Sequence, residues 1–188
     1  MDPHASATPS RWVQRWAPLI RPGGTVLDVA CGSGRHVHWL SQRGLRVTGV
    51  DRDGAALAGL RGTPGVEQLV EADIEQGPWP FPGRTFDAVL VTNYLWRPLF
   101  PLLRAAVGDG GLLIHETFAD GQQAIGRPSR AEFLLQPGEL LREAVGLRVV
   151  AYEDGYEEPP ARFVQRIVAM RSAAGGDAPP RYRLDAGG

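Results

Sequence analysis

Cysteine is nearly absent from this sequence of 188 residues. With Cys31 alone, no disulfide can form within the chain, and a zinc site built on cysteines has too few ligands. Apolar runs are short: none approaches the ~18 residues of a membrane span, and the first nine residues lack the features of an export signal. We therefore expect a cytoplasmic protein with no metal site and no membrane association.

Lysine is missing altogether, so all 20 basic residues are arginines, and 21 acidic residues bring the formal net charge to -1. Arginine without lysine, together with 24 glycines and 16 prolines, is the composition we expect from a GC-rich bacterial genome. A near-neutral balance does not favour binding to a phosphate backbone through a broad basic face. The composition therefore disfavours nucleic acid as a partner and favours small molecules.

The length of the chain allows one compact domain, because a second would lack room for its own core. A hydrophobic content of 43% is ordinary for a globular protein. We assign residues 1–171 to this domain and expect residues 172–188, which are polar and rich in glycine and proline, to be a mobile tail. The domain is consistent with either a monomer or a homodimer.

Short apolar runs recur along the first two thirds of the chain, as the buried strands of a parallel sheet do. They lie at residues 25–29, 46–50, 66–72 (the weakest), 86–91 and 111–116. The segments between them predict helices at residues 34–43, 53–61 and 95–107, and Asp53 is suited to cap the second. This alternation predicts a parallel sheet with right-handed crossovers.

Both ends of the domain depart from that alternation. Residues 147–153 and 162–170 are β-rich and joined by a short acidic turn, which predicts an antiparallel hairpin closing the sheet. A helix is predicted before it, at residues 136–144. At the start of the chain, Ser10 can cap a short helix that carries Trp12 and Trp16 on one face.

The first strand runs into a turn of small residues, from Asp28 to Gly34, and then into a helix. Small side chains at Ala30, Gly32 and Gly34 let the backbone turn sharply and approach a ligand. In open α/β sheets ligands bind at the carboxyl ends of strands, so a nucleotide-type cofactor belongs here. The dinucleotide fingerprint would need a third glycine at position 37, which is Val37, and this weakens the case for a nicotinamide cofactor.

The run from Leu27 to Arg35, Leu-Asp-Val-Ala-Cys-Gly-Ser-Gly-Arg, resembles the first motif of the class I methyltransferases that use S-adenosylmethionine (SAM). Ala30 stands where that family more often has glycine. The resemblance extends over about residues 12–170 and implies an α/β, doubly wound, Rossmann-like fold. Its seven-stranded sheet would be mostly parallel, with an antiparallel C-terminal hairpin.

The resemblance also implies roles for residues at successive strand ends. Asp51 corresponds to the acid that binds both ribose hydroxyls, and it lies at the spacing that a βαβ unit requires. Asp73 would accept from the adenine amino group while Ile74 packs on the ring, and Asp28 would face the methionine ammonium. The full set of expected SAM-binding residues is Asp28, Ala30, Gly32, Gly34, Asp51, Arg52, Asp73, Ile74 and Asn93.

The methyl acceptor is expected after the fourth strand, where polar and aromatic side chains follow one another and suit a planar or anionic small molecule. The segment lacks the Pro-Pro motif of amino methyltransferases that act on nucleic-acid bases. Expected acceptor contacts are Tyr94, Trp96, Arg97, Phe118 and Arg127, with Trp12 and Trp16 of the first helix as a lid. No catalytic residue is assigned, and the candidates are Asn93, Tyr94, His115 and Glu116, the last two as bases.

The function that these motifs imply is methyl transfer from SAM to a small molecule by in-line displacement, catalysed mainly by positioning. The chain as a whole, a SAM-binding domain with little added to it, resembles short bacterial methyltransferases of the tellurite-resistance-like type. The alternatives are a SAM-binding or regulatory protein without catalysis, a protein or RNA methyltransferase, and a nucleotide-dependent oxidoreductase. The sequence leaves the acceptor and the atom that is methylated open.

Overall fold

A seven-stranded sheet organises residues 8–173, the part of the chain that the computed structural model describes. The strands follow the order β3-β2-β1-β4-β5-β7-β6. They are β1 (Thr25–Val29), β2 (Arg46–Asp51), β3 (Val66–Glu71), β4 (Phe86–Thr92), β5 (Val107–Phe118), β6 (Arg148–Glu157) and β7 (Arg162–Met170).

The first five strands are parallel, whereas β7 pairs antiparallel with both β5 and β6. The predicted doubly wound sheet with an antiparallel closing hairpin is thereby confirmed. The chain order reverses direction across the sheet at β1, because β2 lies on one side of it and β4 on the other. The carboxyl ends of β1 and β4 therefore flank the crevice where such sheets bind ligands.

Five short helices flank the sheet: α1 (Arg11–Trp16), α2 (Arg35–Ser41), α3 (Gly54–Ala58), α4 (Phe100–Ala105) and α5 (Glu139–Glu143). Two of them begin at the caps that the sequence predicts. The Ser10 hydroxyl accepts hydrogen bonds from the backbone N–H groups of the first turn of α1, and the Asp53 carboxylate does the same for α3. Side-chain oxygens thus satisfy donors that a helix start leaves free.

Each face of the sheet carries its own apolar core, because successive side chains of a buried strand point to opposite faces. Val26 packs with the side chains of α1 and α2, whereas its neighbour Leu27 packs with those of α4 and α5. Both side chains are almost fully buried. The continuous apolar runs seen in the sequence are therefore strands covered on both faces.

Several element boundaries differ from the sequence predictions. The helix predicted at residues 95–107 is a 3₁₀ turn at Arg97–Leu99 followed by α4, because Pro98 and Pro101 each sit in the first turn of a helix and interrupt a longer one. Strand β5 begins four residues before the predicted start, with a shift of register in its pairing to β4. Strand β6 continues to Glu157, so the hairpin turn is shorter than predicted.

The connection from β3 to β4 has no crossover helix in the structure. Aromatic side chains pack there instead, with the ring of Phe81 edge-on to both Trp79 and Phe86 at centroid distances of 5.4 and 5.7 Å. Phe81 belongs to the same core as the apolar side chains of α4. This turn-rich connection leaves residues 72–75 lying along the carboxyl edge of the sheet.

None of the helices among residues 8–173 is both long and apolar enough to cross a bilayer. Most of the predicted mobile tail lies outside the described residues, which end at residue 173.

Candidate active site

The turn after β1 has the unusual backbone that its small residues predict. Ala30, Gly32 and Gly34 all have positive φ angles, of 54°, 53° and 78°. A side chain at Gly34 would collide with Leu60, so glycine is required there for close packing, whereas a Cβ at Gly32 would meet nothing within 4 Å. The turn therefore combines tight packing on its inner side with open space beside Gly32.

A cavity of about 770 Å³ opens next to this turn, at the carboxyl edge of the sheet. Such a volume suits a small-molecule site. One half of the lining comes from the ends of β1, β2 and β3: Ala30, Asp51, Arg52, Ala72, Asp73, Ile74 and Glu75. We call this the cofactor half. The other half comes from the ends of β4 and β5 and the loop after β5: Asn93, Tyr94, Leu95, Thr117, Phe118, Arg127, Pro128 and Phe133. We call it the acceptor half.

Asp51 ends β2 and ties two turns together. Its Oδ2 accepts a hydrogen bond from the Gly32 N–H at 2.7 Å, and its Oδ1 accepts from the Asp53 N–H at 2.9 Å. A carboxylate has about four lone-pair sites, so each oxygen keeps capacity for a further donor. Asp51 can thus shape the turn and present both oxygens to a pair of ligand hydroxyls.

Asp73 lies just after β3 and caps the following turn with one oxygen only. Its Oδ1 accepts from the N–H groups of Glu75 and Gln76, at 2.9 and 3.0 Å. Ile74 beside it is half-buried against the core. The remaining oxygen of Asp73 is available to a donor in the cofactor half, with an apolar surface next to it.

Asp28 is buried in β1, at 1% exposure, and its Oδ2 has no hydrogen-bond partner among the described residues. Burial raises the pKa of its carboxyl to about 8, with the nearby Arg35 opposing that shift and Asp51 adding to it. An unpartnered oxygen in such a place is costly to stability. A ligand that brings a cationic donor would satisfy it.

Asn93 follows β4 in a left-handed backbone conformation, with φ at 54°. Its N–H donates to the Glu116 carbonyl at 2.9 Å, while its buried Oδ1 has no partner among the described residues. Strained backbone and an unsatisfied amide coincide at the point where the two halves of the cavity meet. The neighbouring Tyr94 donates its hydroxyl to Glu75 at 3.1 Å, and burial raises the pKa of that phenol.

The two candidate bases on β5 do not line the cavity, which corrects their prediction. His115 is buried beneath Tyr94, with Nε2 3.3 Å from the Tyr94 carbonyl oxygen, and burial lowers its pKa to about 4. Glu116 points to the opposite face of the sheet, where it accepts from Ser10 at 2.9 Å and pairs with Arg162 and Arg166. Both side chains are fully buried away from the cavity; Glu116 is held by its partners, whereas Nδ1 of His115 has no partner among the described residues.

Two further predictions are also wrong. The first helix does not place its tryptophans over the cavity as a lid, and two of the acceptor contacts predicted after β4 lie away from the cavity. Trp12 and Trp16 are buried in the core between α1 and the sheet, at 3% and 2% exposure. Trp96 packs against the other core. Arg97 forms an ion pair with Glu139 at 2.6 Å and donates to two backbone carbonyls. None of the four lines the cavity.

The cavity also contains residues that sequence reasoning missed. Thr117 shares a face of β5 with His115 but lies nearer the strand end, and the two-residue period of strands was the signal for it. Phe133 and Pro128 come from the loop after β5, whose path no local pattern specifies. The predicted Phe118 and Arg127 do lie in the acceptor half, and Arg52 lies in the cofactor half.

Among residues 8–173 there is no cluster of three histidine, cysteine or acidic side chains placed to hold a metal ion. The histidines of α2 diverge: His36 is buried next to the start of α1, whereas His38 lies half-buried about half a turn further along α2.

Comparison with known families returns a match to the model of a methyltransferase domain, over residues 26–110. The matched segment begins in β1 and includes the Gly-rich turn, the ends of β2 and β3, and all of β4. No curated protein sequence matches the chain.

Solved structures share the fold. TehB from Haemophilus influenzae superposes with a TM-score of 0.68 and 20% identity over 85% of this chain, which spans 61% of the TehB chain. A TehB-like SAM-dependent methyltransferase from Corynebacterium glutamicum superposes with a TM-score of 0.61 and 20% identity, covering 86% of this chain and 87% of its own. The [4+2]-cyclase SpnF superposes with a TM-score of 0.66 and 15% identity, covering 87% of this chain and 79% of its own. At these identities the likeness establishes the fold alone, and the name of the last protein shows that this fold occurs with more than one reaction.

Proposed function

We propose that this chain is a SAM-dependent methyltransferase that transfers the methyl group of SAM to a small-molecule acceptor bound in the acceptor half of the cavity. The match of residues 26–110 to a methyltransferase domain and the shared fold support the cofactor and the reaction class. The choice of acceptor and the roles of individual residues rest on the cavity itself.

The observation that carries the proposal is the placement of Asp51 and Asp73 on one cavity wall. They end adjacent parallel strands, and both line the cofactor half beside the Gly-rich turn. Asp51 would accept from the two ribose hydroxyls of the adenosyl group, and Asp73 from the adenine amino group, with Ile74 against the ring.

Two buried polar atoms test whether the remaining part of SAM fits this chain. Asn93 Oδ1, at the cavity, and Asp28 Oδ2, buried in β1 just before the Gly-rich turn and not among the residues that line the cavity, are acceptors without partners in the described residues. SAM carries an ammonium group, which is a donor that a buried carboxylate can pair with. The donor requirement of the protein and the donors of the cofactor therefore agree, and we assign Asp28 to the ammonium and Asn93 to the methionine end.

When bound, SAM supplies a methyl group that is attached to a sulfonium. The leaving group is the neutral thioether S-adenosylhomocysteine, whose departure needs no acid. The protein then has to hold the acceptor in line with the methyl group and keep water away from it. Leu95, Phe118 and Phe133 give the acceptor half apolar walls for that purpose. Asn93 lies between the halves and is the group best placed to orient the reacting atoms.

Replacing Asp51 with alanine tests the cofactor assignment. Loss of both carboxylate oxygens should weaken S-adenosylhomocysteine binding by about 2 kcal/mol, roughly thirtyfold, as expected for hydrogen bonds to a charged group. Isothermal titration calorimetry measures this directly.

The matched control is Asp53→Asn, two residues away, which keeps an oxygen to cap α3 and should leave the affinity unchanged. Equal affinities of the Asp51 variant and the wild type for S-adenosylhomocysteine would reject the assignment of this strand end.

A further inference from the structure

The charges of the cavity are divided unequally between its halves. Three carboxylates, Asp51, Asp73 and Glu75, line the cofactor half together with Arg52. Within residues 8–173, Arg127 is the only charged side chain that lines the acceptor half. The rest of that half is aromatic, aliphatic or neutral. An anionic acceptor is therefore favoured there, since it would sit next to the cation and away from the carboxylates.

Arg127 has no carboxylate partner among residues 8–173, although many of the other arginines in that range form ion pairs. Its backbone is nevertheless held in place. The side chain of Gln122, which is 4% exposed, donates to the Arg127 carbonyl at 3.1 Å and accepts from the Phe163 N–H at 2.9 Å. The loop thus presents an unpaired guanidinium from a backbone anchored to β7.

Three aromatic side chains line the acceptor half together with Arg127, whose own side chain is exposed. Tyr94 and Phe118 come from the ends of β4 and β5, and Phe133 comes from the same loop as Arg127. Arg97 fixes the second half of that loop by donating to the carbonyls of Glu132 and Leu134 at 2.8 and 2.9 Å. Aromatic walls at fixed positions suit a planar molecule of about the size of an aromatic ring.

No side chain lining the acceptor half, among the described residues, is suited to remove a proton from the acceptor. Asn93 and Thr117 are neutral, and burial raises the pKa of the Tyr94 phenol, which therefore stays protonated near neutral pH. The Glu75 carboxylate, in the cofactor half, accepts from the Tyr94 hydroxyl at 3.1 Å and is occupied by it. His115 and Glu116 are buried elsewhere. An alcohol, phenol or amide nitrogen would need a base to remove its proton, whereas a thiolate is already deprotonated when it binds.

Resting on the proposed function, we infer that the acceptor is a planar aromatic carboxylate whose attacking atom is already deprotonated near neutral pH, an aromatic thiolate being the clearest case. Arg127 binds the carboxylate, and the aromatic walls hold the ring. A lone pair of the sulfur attacks the methyl carbon as the carbon–sulfonium bond breaks, and the electron pair of that bond stays on the cofactor sulfur. The products are a thioether and S-adenosylhomocysteine, and no proton is transferred.

The test compares 4-mercaptobenzoate with 4-mercaptobenzamide, which has the same nucleophile and nearly the same shape but no negative carboxylate. Calorimetry on the complex with S-adenosylhomocysteine should show at least about tenfold tighter binding of the carboxylate, as expected for a charge-assisted contact. Arg127→Met should remove that preference, and Arg127→Lys should keep part of it, because lysine retains the charge without the bidentate geometry.

The matched control is Arg148→Met, which removes the same charge from an exposed position on β6 at the far edge of the sheet, and it should keep the wild-type preference. Equal binding of the two probes by the wild type, no binding of the carboxylate, or a preference that survives Arg127→Met would each overturn the assignment of Arg127.

A second arm tests the nucleophile, with 4-hydroxybenzoate in place of the thiol. We expect it to bind to a similar degree but to be methylated at least about a hundredfold more slowly at pH 7.5, because its phenol is mostly protonated and no base is provided. Comparable rates for the two carboxylates would overturn the inference about the attacking atom. If the wild type fails to bind S-adenosylhomocysteine, the proposed function itself falls; intact binding without carboxylate preference rejects only the acceptor.

Discussion

At the scale of single residues, the site is built from groups whose bonding is incomplete in the protein alone. Asp28 Oδ2 and Asn93 Oδ1 are buried without partners in the described residues. Arg127 is a cation without a carboxylate. The two buried oxygens lower the stability of the free protein, whereas the exposed guanidinium of Arg127 is hydrated, and a ligand would complete the bonding of all three.

Asp28→Asn separates stability from binding. The pKa of Asp28 is raised to about 8, so the folded protein keeps this proton up to about pH 8, whereas the unfolded chain loses it near pH 4. The free energy of unfolding therefore falls as the pH rises between these values, by up to about 1.4 kcal/mol per unit. Asparagine has the same shape and no charge, so it should abolish this contribution and stabilise the free protein at pH 8.

The same variant should bind S-adenosylhomocysteine more weakly, roughly tenfold, because a neutral amide replaces the carboxylate assigned to the ammonium. Thermal unfolding as a function of pH and calorimetry provide the two readouts. A variant that is less stable than the wild type at pH 8, with unchanged affinity, would contradict both parts of the prediction.

At the scale of elements, four of them meet at one buried junction. The Ser10 N–H, at the start of α1, donates to Nε2 of His36 in α2 at 3.1 Å, and the Ser10 hydroxyl donates to Glu116 of β5 at 2.9 Å. Nδ1 of His36 lies 3.4 Å from the Thr92 hydroxyl at the end of β4. For His36 to accept from Ser10, its Nε2 has to be unprotonated, so the junction requires a neutral imidazole.

This junction should make the fold sensitive to acid. Burial, with a contribution from Arg35, lowers the pKa of His36 to about 3, so the folded state keeps the ring neutral while the unfolded chain protonates it below about pH 6.5. Stability is thus lost as the pH falls from 6.5 towards 3, by up to about 1.4 kcal/mol per unit. His36→Gln, which offers a neutral acceptor, should flatten this part of the pH profile.

His38→Gln is the control, because His38 lies on the same helix but outside the junction. We expect it to keep the wild-type slope in urea unfolding measured between pH 4.5 and 7. An identical slope in the wild type and His36→Gln would mean that the junction tolerates a charged imidazole. Burial also lowers the pKa of His115, to about 4. His115 therefore makes a second acid-dependent contribution to the free energy of unfolding, which both variants retain.

At the scale of the whole molecule, the cavity joins segments that are far apart in the chain. Its walls come from the ends of the five parallel strands and from the loop after β5. That loop is held to β7 through Gln122, and to α5 through Arg97 and its ion pair with Glu139. A ligand that fills both halves therefore contacts elements across most of the sheet. Binding should stabilise the molecule as one unit.

S-adenosylhomocysteine at a hundred times its dissociation constant should add about 2.7 kcal/mol to the free energy of unfolding. For a chain of this size, that corresponds to a rise in melting temperature of about 5–11 °C. NADH at the same concentration should give no shift, because the first turn lacks the third glycine of a dinucleotide site. Scanning fluorimetry with both ligands distinguishes the methyltransferase from the nucleotide-dependent oxidoreductase, and a shift with NADH alone would favour the latter.

Part of the cofactor half could be predicted because its determinants are local: Ala30, Asp51, Arg52, Asp73 and Ile74 line the cavity, whereas the predicted Asp28, Gly32 and Gly34 do not. Asp51 and Asp73 directly follow apolar runs, and in a parallel sheet the ends of such runs must meet at one edge. Glycine likewise marks the positive φ angles of Gly32 and Gly34. Backbone sterics and the two-residue period of strands act over a few residues, so they can be read before folding.

The acceptor half could be predicted only in part, because its determinants are contacts between distant segments. His115 and Glu116 are adjacent at the end of β5, yet one packs under Tyr94 and the other pairs with arginines of β7 on the opposite face. Trp12 and Trp16 were expected over the cavity and are instead core side chains.

Sequence alone determined the sheet, the first turn and the acids at its strand ends, since hydrophobic period, small residues and spacing specify them. Tertiary structure decided which polar residues are structural and which face the cavity. The physical reason is that burial, and the choice of a hydrogen-bonding partner, depend on which distant surface covers a side chain. Arg127 and Arg97 are both loop-proximal arginines in the sequence, and only the folded chain leaves one unpaired at the cavity and neutralises the other with Glu139.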